Sequence, residues 1–322
     1  MKKIMNSLVL GGNGFIGSHL VDLLLREGHQ VRVYDRADDR FRSRLAQVEY
    51  IYGELGNQGL IRAALTDVEI VFHLVSTTVP GTSNADPAFD VQSNVVDTIR
   101  LLEECVAAQI KRFVFTSSGG TIYGIPQAIP IPESHFLNPT CSYGITKLAI
   151  EKYLALFRHL YGMEYVILRP SNAYGERQNP FGQQGVVGVF LGKVIRQEPI
   201  VIWGDGSVTR DFIYVGDLAA ALYQAAIHDL KFEGGERIFN IGSGRGVSIN
   251  EILEAISVVV GQDMDVRYTQ ARRFDVPVNV LDISLSEKRL GWTPTTDLPS
   301  GLSRTWAWIK EAFTDDSTKT AV

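Results

Sequence analysis

The first half of the chain alternates short apolar runs with longer amphipathic stretches. The apolar runs have the length of buried strands, and the stretches between them have the spacing of helices with one apolar face. The predicted strands are Ser7 to Leu10, Gln30 to Tyr34, Glu49 to Tyr52, Ile70 to Leu74, Arg112 to Ser117 and Tyr165 to Arg169. The predicted helices are Phe15 to Glu27, Gln58 to Thr66, Asp90 to Ala108 and Tyr143 to Tyr161. This order predicts an α/β fold with a doubly wound parallel sheet of the Rossmann type.

The pattern changes after Pro170, where loops rich in Gly, Asn and Pro separate short strands and scattered helices. We expect a dinucleotide-binding domain over residues 1–172 and a smaller, partly interleaved substrate domain over residues 173–322. The run Val215 to Ala226 is apolar enough to be a helix, and the segment near 212–228 is predicted to return to the first domain. Beyond Phe313 the chain becomes polar, and we expect fraying there.

Composition narrows the class of protein. The 322 residues are 45% hydrophobic and 21% charged, which is ordinary for a folded, water-soluble protein, and the net charge of −5 disfavours a nucleic-acid-binding face. No apolar run is long enough to span a membrane. The two cysteines, Cys105 and Cys141, are too few for a disulfide framework or a four-ligand zinc site, so we expect a cytoplasmic protein without a metal centre.

A glycine-rich loop follows the first predicted strand. In GGNGFIG the glycines at 11, 14 and 17 permit a tight turn, the approach of a pyrophosphate to a helix N-terminus, and close packing of helix on strand. Asp35 ends the second strand, where a carboxylate accepts hydrogen bonds from an adenosine ribose. It favours NAD over NADP, although the neighbouring Arg36 leaves room for a 2′-phosphate.

Two further groups of side chains suggest catalysis. Tyr143 and Lys147 lie one helical turn apart, so the lysine can lower the pKa of the tyrosine from its usual value of about 10. Ser117 and Ser118 end the strand RFVFTSS, at the sheet edge where ligands bind in such folds. Taken singly, the tyrosine and lysine are more typical of a surface pair, and the serines of strand caps.

Together these motifs resemble the extended short-chain dehydrogenase/reductases, specifically the NAD-dependent sugar-nucleotide epimerases and dehydratases. The resemblance covers almost the whole chain. GGNGFIG is similar to the Gly-x-x-Gly-x-x-Gly loop of the family, and PTCSYGITK is similar to its Tyr-x-x-x-Lys segment. Other similar segments, in the order found in the family, are TSSGGTIYG, LRPSNAYG, WGDGSVTRDFIYVGDLA, FNIGSG and LDISLSEKRLGW.

The resemblance implies a role for each matching residue. The catalytic residues would be Ser118, Tyr143 and Lys147. NAD would be held by Gly11, Gly14, Phe15, Ile16, Asp35, Arg36, Glu54, Leu55, Leu74, Ser76 and Asn94, with Tyr143 and Lys147. The sugar nucleotide would meet Asn172, Val187, Trp203, Arg210, Arg272, Asp275 and Asn279, besides Ser118 and Tyr143. Arginines at 210 and 272 suit a diphosphate, because guanidinium groups bind phosphate oxygens in bidentate fashion.

The sequence also departs from the family pattern. Glu54 stands where Asp is usual, and TSSGGTIYG has one residue more than many relatives. Counting from the strand selects Ser118 as the catalytic hydroxyl, whereas counting back from Tyr123 points near Gly119; Ser117 and Thr121 are the alternatives.

The expected reaction is C4 epimerisation of a UDP-hexose through a transient 4-keto sugar, with tightly bound NAD. In the related 4,6-dehydratases an Asp-Glu pair follows the hydroxyl residue, whereas Gly119 and Gly120 stand here. A decarboxylase or a reductase of the same family is the alternative, and a non-catalytic NAD-sensing scaffold is a more distant one.

The identity of the sugar stays open at this stage. Asn279 falls at the position that walls the sugar pocket in the family. Its intermediate size leaves both UDP-glucose/UDP-galactose and UDP-GlcNAc/UDP-GalNAc as substrates. The resemblance also implies a homodimer formed by the helices Asp90 to Ala108 and Tyr143 to Tyr161.

Overall fold

A computed structural model of the chain describes residues 4–229, 236–271 and 276–313. In chain order, its strands are β1 (Asn6–Leu10), β2 (Gln30–Asp35), β3 (Val48–Tyr52), β4 (Ile70–His73), β5 (Arg112–Thr116), β6 (Tyr165–Pro170), β7 (Asn172–Tyr174), β8 (Ile200–Trp203), β9 (Thr209–Tyr214), β10 (Ile238–Ile241), β11 (Gly246–Ser248), β12 (Val266–Thr269) and β13 (Val278–Asn279). Its helices are α1 (Phe15–Arg26), α2 (Gln58–Ala64), α3 (Pro87–Asp90), α4 (Asp97–Ala107), α5 (Ser142–Tyr161), α6 (Val186–Ile195), α7 (Val215–Ile227), α8 (Ile249–Val260), α9 (Ser284–Leu290) and α10 (Leu298–Phe313). A 3-10 turn covers Ser83–Ala85, and a π-helical turn, Val91–Val96, joins α3 to α4.

The main sheet of the described residues has the strand order β10-β6-β5-β4-β1-β2-β3, and its neighbouring strands are parallel. The prediction of a doubly wound parallel sheet is confirmed. The strand order reverses between β1 and β4, and ligands of such sheets bind in the crevice at that point, outside the carboxyl ends of the strands. The six predicted strands are all present, and the sequence did not predict that β10 joins them.

Helices cover both faces of this sheet. On one face, Leu20 and Leu24 of α1 share an apolar core with Leu218 and Leu222 of α7, so a helix from the second half of the chain packs on the first half. On the other face, α4 and α5 contribute buried leucines and isoleucines to a second core. The sheet therefore lies between two apolar cores covered by helices, and this packing fixes the positions of its strand ends.

The helix predicted over Asp90 to Ala108 differs from the observed one. It begins earlier, because the Asp86 side chain accepts from the N–H of Phe89 and Pro87 occupies the first helical position. It is also interrupted by the π-helical turn, where the Asn94 amide donates to the carbonyl oxygen of Asp90 at 3.1 Å. That carbonyl is the acceptor that a regular helix would offer to the N–H of residue 94, so the turn widens there.

The second half of the chain builds a smaller unit around β9. In the described residues β11 pairs antiparallel with β9, while β13 and β7 pair parallel with it. A third apolar core lies under α6, α8 and α10. None of the described helices is both long and apolar enough to cross a membrane.

Candidate active site

The glycine-rich loop between β1 and α1 is too tightly packed for side chains. Gly11 has φ +81°, in the left-handed region that favours glycine, and a Cβ on Gly17 would lie 2.0 Å from the carbonyl oxygen of Gly11. Gly14 is the N-cap of α1, and no side chain caps that helix start. The loop thus leaves the backbone N–H groups of the first turn, at Phe15 and Ile16, available to an anion.

Asp35 fixes this loop from the end of β2. Its Oδ2 accepts from the N–H of Asn13 at 3.0 Å, and its Oδ1 accepts from the N–H of Arg36 at 2.8 Å. Burial raises the pKa of the Asp35 carboxyl, while these backbone N–H groups lower it in part. The uncapped helix start beside a carboxylate at the neighbouring strand end fits a dinucleotide, with the pyrophosphate on α1 and the ribose near Asp35.

The remaining residues predicted to hold the cofactor lie around the same crevice. Glu54 is exposed, and its carbonyl oxygen accepts a 2.7 Å hydrogen bond from the Tyr34 hydroxyl. Leu55 is buried, Leu74 is half-buried at the end of β4, and the Ser76 hydroxyl donates to Thr78 O at 2.9 Å. These residues build the crevice wall after β3 and β4.

Asn94 is buried and its amide is fully engaged by protein groups. Its Oδ1 accepts from the N–H of Thr77 at 3.0 Å, and its Nδ2 donates to Thr77 Oγ1 and to Asp90. The side chain therefore ties the loop after β4 to the π-helical turn.

Tyr143 and Lys147 lie one turn apart at the start of α5, as the sequence predicts. The buried Lys147 ammonium donates to the carbonyl oxygen of Thr116 at 3.0 Å, at the end of β5, and lies 5.6 Å from the centre of the Tyr143 ring. Burial lowers the pKa of Lys147 to about 8.

Burial also raises the pKa of Tyr143 above its ordinary value of about 10. This differs from the lowered value predicted from the lysine spacing, because the loss of water around a phenolate outweighs a cation on one side of the ring. A lowered pKa would therefore require additional positive charge near the hydroxyl.

The hydroxyl residues after β5 have different environments. The Ser117 hydroxyl is buried and donates to Glu151 Oε1 at 2.6 Å. Thr121 Oγ1 is buried without a hydrogen-bond partner among the described residues. Ser118 is half-buried, and its side chain makes no hydrogen bond to another of the described residues. Ser117 is thus bound to Glu151, whereas Ser118 is partly accessible.

The glycines that follow Ser118 also differ from each other. A Cβ on Gly119 would lie 2.6 Å from Leu281 Cδ1 and 3.0 Å from the carbonyl oxygen of Arg169. A Cβ on Gly120 would meet only Ser118 Oγ, at 4.0 Å. The fold therefore leaves no space for a side chain directly after the serine.

The small sheet around β9 brings several predicted substrate residues together. Asn279 of β13 is the register partner of Arg210 of β9, and Asn172 of β7 donates its amide to Asp211 O at 2.9 Å. Asn279 is buried, and its Nδ2 donates to Gly119 O at 3.3 Å, which joins this sheet to the loop after β5. Its Oδ1 has no hydrogen-bond partner among the described residues.

Of the four other residues predicted to meet the substrate, the structure describes two. Val187 is buried in the core under α6, and Trp203 is 49% exposed at the end of β8. Arg272 and Asp275 lie outside the described residues.

Sequence reasoning missed the residues that hold the start of α5. The N–H of Ser142 donates to Asn84 Oδ1 at 2.9 Å, and the N–H of Tyr143 donates to Ser83 Oγ at 3.1 Å. The fully buried Asp90 accepts from the Ser142 hydroxyl at 2.6 Å. The available signal was the spacing of Asp90 and Asn94, two polar residues one turn apart on a face that is otherwise apolar.

Comparison with known proteins agrees with this geometry. A family model described as the NAD dependent epimerase/dehydratase family matches residues 7–242. A UDP-glucose 4-epimerase of Mycolicibacterium smegmatis is 36% identical over 308 residues, which cover 94% of this chain and 97% of the relative. A crystal structure of a Thermotoga maritima UDP-glucose 4-epimerase with UDP-glucose has a TM-score of 0.90 and 34% identity, with 95% of this chain and 99% of that chain covered. The structure of a Methanobrevibacter ruminantium UDP-N-acetylglucosamine 4-epimerase in complex with UDP-N-acetylmuramic acid has a TM-score of 0.89 and 31% identity, with 96% and 99% covered.

Proposed function

This chain belongs to the NAD dependent epimerase/dehydratase family, and on that premise we propose that it inverts C4 of a UDP-hexose. The observation that carries the proposal is that Lys147, beside the Tyr143 ring, binds the carbonyl oxygen of Thr116 at the carboxyl edge of the parallel sheet, two residues before Ser118. The relatives that match over the whole chain include UDP-glucose and UDP-N-acetylglucosamine 4-epimerases, which supports a UDP-sugar as the substrate.

The residues of the crevice fit NAD. We propose that residues 1–172, with the segment near 212–228, hold NAD, and that residues 173–322 hold the sugar nucleotide. The pyrophosphate would lie on the N–H groups of Phe15 and Ile16, and the adenosine ribose on Asp35. When bound, NAD supplies an acceptor and donor of hydride, and its cationic ring supplies the positive charge that Tyr143 still requires.

Tyr143 acts as the general base and acid. Its phenolate takes the proton of the sugar 4-hydroxyl as C4 is oxidised, and Ser118 donates a hydrogen bond to the same oxygen. Lys147 stabilises the phenolate by its charge, and its anchor on Thr116 O keeps it one turn from the tyrosine. After the 4-keto sugar turns its other face to the site, Tyr143 returns the proton to the C4 oxygen, and the product is the C4 epimer.

The packing of Gly119 weighs against a dehydratase. Elimination of water from C5 and C6 requires acid and base groups beside the hydroxyl residue, and a side chain at position 119 would collide with Leu281 and Arg169. A redox-neutral inversion requires only one group that moves a single proton out and back. The assay distinguishes the reductase and decarboxylase alternatives, because a reductase would consume one reduced nicotinamide cofactor per turnover and a decarboxylase would release carbon dioxide.

The sugar pocket admits either of two substrate pairs. The Asn279 side chain is smaller than an aromatic one, and its Oδ1, which has no partner among the described residues, can accept a hydrogen bond from a hydroxyl or from an acetamido N–H. We therefore propose activity on UDP-glucose/UDP-galactose, with UDP-GlcNAc/UDP-GalNAc as the second pair. Assays of both pairs with one enzyme preparation decide between hexose-only and dual use.

Replacement of the tyrosine tests the function directly. We expect Tyr143→Phe to lower kcat for epimerisation by about 100-fold to 10,000-fold, because the proton acceptor is lost while the ring stays in place. Tyr161→Phe is the matched control, since Tyr161 is 58% exposed at the far end of the same helix. Near-normal turnover by Tyr143→Phe would contradict the proposed mechanism, and no turnover of either sugar pair by the wild type would contradict the function.

We also propose that the protein works as a cytoplasmic homodimer. The outer face of α5 exposes Ile145, Leu156 and Leu160, which are 53%, 43% and 56% exposed and recur at helical spacing. Sedimentation of the wild type and of Leu156→Asp tests this, and we expect the dimer to weaken in the variant. A monomeric wild type at working concentration would refute the dimer.

A further inference from the structure

Asp90 is a fully buried carboxylate at the junction of α3 and the π-helical turn, and the mechanism above does not use it. Its Oδ1 accepts from Thr78 Oγ1 at 2.5 Å and from Asn94 Nδ2 at 2.9 Å, and its Oδ2 accepts from Ser142 Oγ at 2.6 Å. Both oxygens act as acceptors, as in an ionised carboxylate. Burying such a charge is unfavourable unless hydrogen bonds and a nearby opposite charge compensate it.

The groups that donate to Asp90 belong to segments that build the active site. Thr78 lies in the loop after β4, whose preceding residues wall the crevice. Ser142 is the first residue of α5 and directly precedes Tyr143. Asp90 therefore joins the crevice wall to the start of the helix that carries the tyrosine.

The start of α5 depends on this external support. Its own N-cap residue, Cys141, makes no side-chain capping bond. The N–H groups of Ser142 and Tyr143 are instead satisfied by Asn84 and Ser83, which lie in the same segment as Asp90. The position of Tyr143 is thus set from outside its helix.

Asp90 is also the negative charge that acts on Lys147. The hydrogen bond and ring contacts of the lysine are to uncharged groups: the Thr116 carbonyl and the rings of Phe115, at 4.9 Å, and Tyr143. Burial lowers the pKa of Lys147, and Asp90 raises it in opposition. Among the described residues, His73 and Cys141 also face the pair: burial and Lys147 hold His73 neutral with a pKa of about 3, and Cys141 raises the pKa of Tyr143. Glu151 lies one helical turn after Lys147 and is paired with the buried Arg169.

We propose that Asp90 is a positioning residue for the Tyr143–Lys147 pair: it fixes the start of α5 against the crevice wall, and its charge compensates that of the buried lysine. This inference rests on the proposed function, because it concerns the same proton transfer. It assigns a role to a residue that is fully buried in the protein.

The charge has a predictable effect on the pH profile. Asp90 raises the pKa of both Lys147 and Tyr143, so Asp90→Asn, which keeps the shape and removes the charge, must lower both. Activity requires a phenolate and an ammonium together. Both limbs of kcat/KM against pH should therefore move to lower pH, by about one unit, with little change in KM.

The test compares Asp90→Asn with two controls in the NAD-loaded enzyme. Asp217→Asn removes another buried carboxylate, which accepts from Thr295 and Thr296 far along the chain, and should leave both limbs in place. Ser142→Ala keeps the Asp90 charge and removes one bond, so it should lower kcat without moving the limbs. Unmoved limbs in Asp90→Asn, or an equal shift in Asp217→Asn, overturn the proposal.

A spectroscopic titration separates this inference from the proposed function. The ultraviolet difference spectrum between a protein and its Tyr143→Phe form reports the Tyr143 phenolate without any substrate, and its midpoint should lie lower in the Asp90→Asn background. An unshifted midpoint refutes the inference even if epimerisation is confirmed. If Asp90→Asn does not fold, Ser142→Ala and Thr78→Val each still remove one bond, and wild-type kcat in both would overturn the positioning role.

Discussion

The Ser117 hydroxyl donates a 2.6 Å hydrogen bond to Glu151 Oε1, and Glu151 in turn forms a two-bond ion pair with the buried Arg169 at 2.6 and 3.0 Å. Ser117 thus belongs to a buried network between β5, β6 and α5. Its neighbour Ser118 has no such partner among the described residues, so the two adjacent serines have different environments.

We expect Ser118→Ala and Ser117→Ala to fail in different ways. Ser118→Ala should lower kcat by about 10-fold to 1,000-fold with an unchanged free energy of unfolding, because it removes a donor to the reacting oxygen. Ser117→Ala should lower the free energy of unfolding by about 1–3 kcal/mol, because it removes one of the two donors to the buried Glu151 Oε1 and leaves only Arg169 Nε. Kinetics and urea unfolding of both variants check this, and a larger kcat loss in Ser117→Ala would reverse the assignment.

Lys147 should make stability depend on pH. Its pKa is about 8 in the folded protein against 10.5 as the ordinary value, so the unfolded chain binds this proton more tightly. The free energy of unfolding should therefore rise with pH between about 8 and 10.5, by about 3 kcal/mol. Urea unfolding of wild type and Lys147→Met across that range isolates the contribution, and identical pH slopes in the two proteins would contradict it.

Gly17 should be essential for cofactor binding. In Gly17→Ala the new methyl group would lie 2.0 Å from Gly11 O, and only a movement of the loop or helix can relieve this contact. We therefore expect the free energy of unfolding to fall by about 3 kcal/mol or more, and the purified variant to lack bound NAD. The control is Gly59→Ala in α2, where the nearest atom is Asn57 Oδ1 at 3.7 Å and helix propensity favours alanine by about 0.5–1 kcal/mol. NAD content and thermal unfolding of both proteins give the comparison.

Substitution by alanine should impair the protein at Gly119 but not at Gly120. In Gly119→Ala the methyl group would collide with Leu281 and with Arg169 O, so we expect the free energy of unfolding to fall by about 1–3 kcal/mol. The collision should also displace Ser118 and lower the kcat of the variant. In Gly120→Ala the methyl group has free space, so the free energy of unfolding and kcat should stay at their wild-type values. Equal activity of the two variants would show that the loop is looser than its packing indicates.

The periodicity of the sequence was sufficient for most of the Rossmann sheet. Apolar runs such as those at β1 and β5 are buried on both faces, as is typical of strands in a parallel sheet. Strand β10 was not predicted as a member of this sheet, because its four residues follow a long excursion and only its pairing with β6 reveals its place. The π-helical turn was missed for a similar reason, since it depends on the Asn94 side chain.

By itself the sequence determined the cofactor loop, the Tyr143–Lys147 spacing and the carboxylate of Asp35, because each depends on residues close in the chain. Only the tertiary structure placed the Ser117 hydroxyl in a buried network with Glu151, closed position 119 to a side chain, and brought Asn279 to Gly119 across 160 residues. Those relationships depend on which atoms meet when distant segments pack. Periodicity and motif spacing carry no information about such contacts.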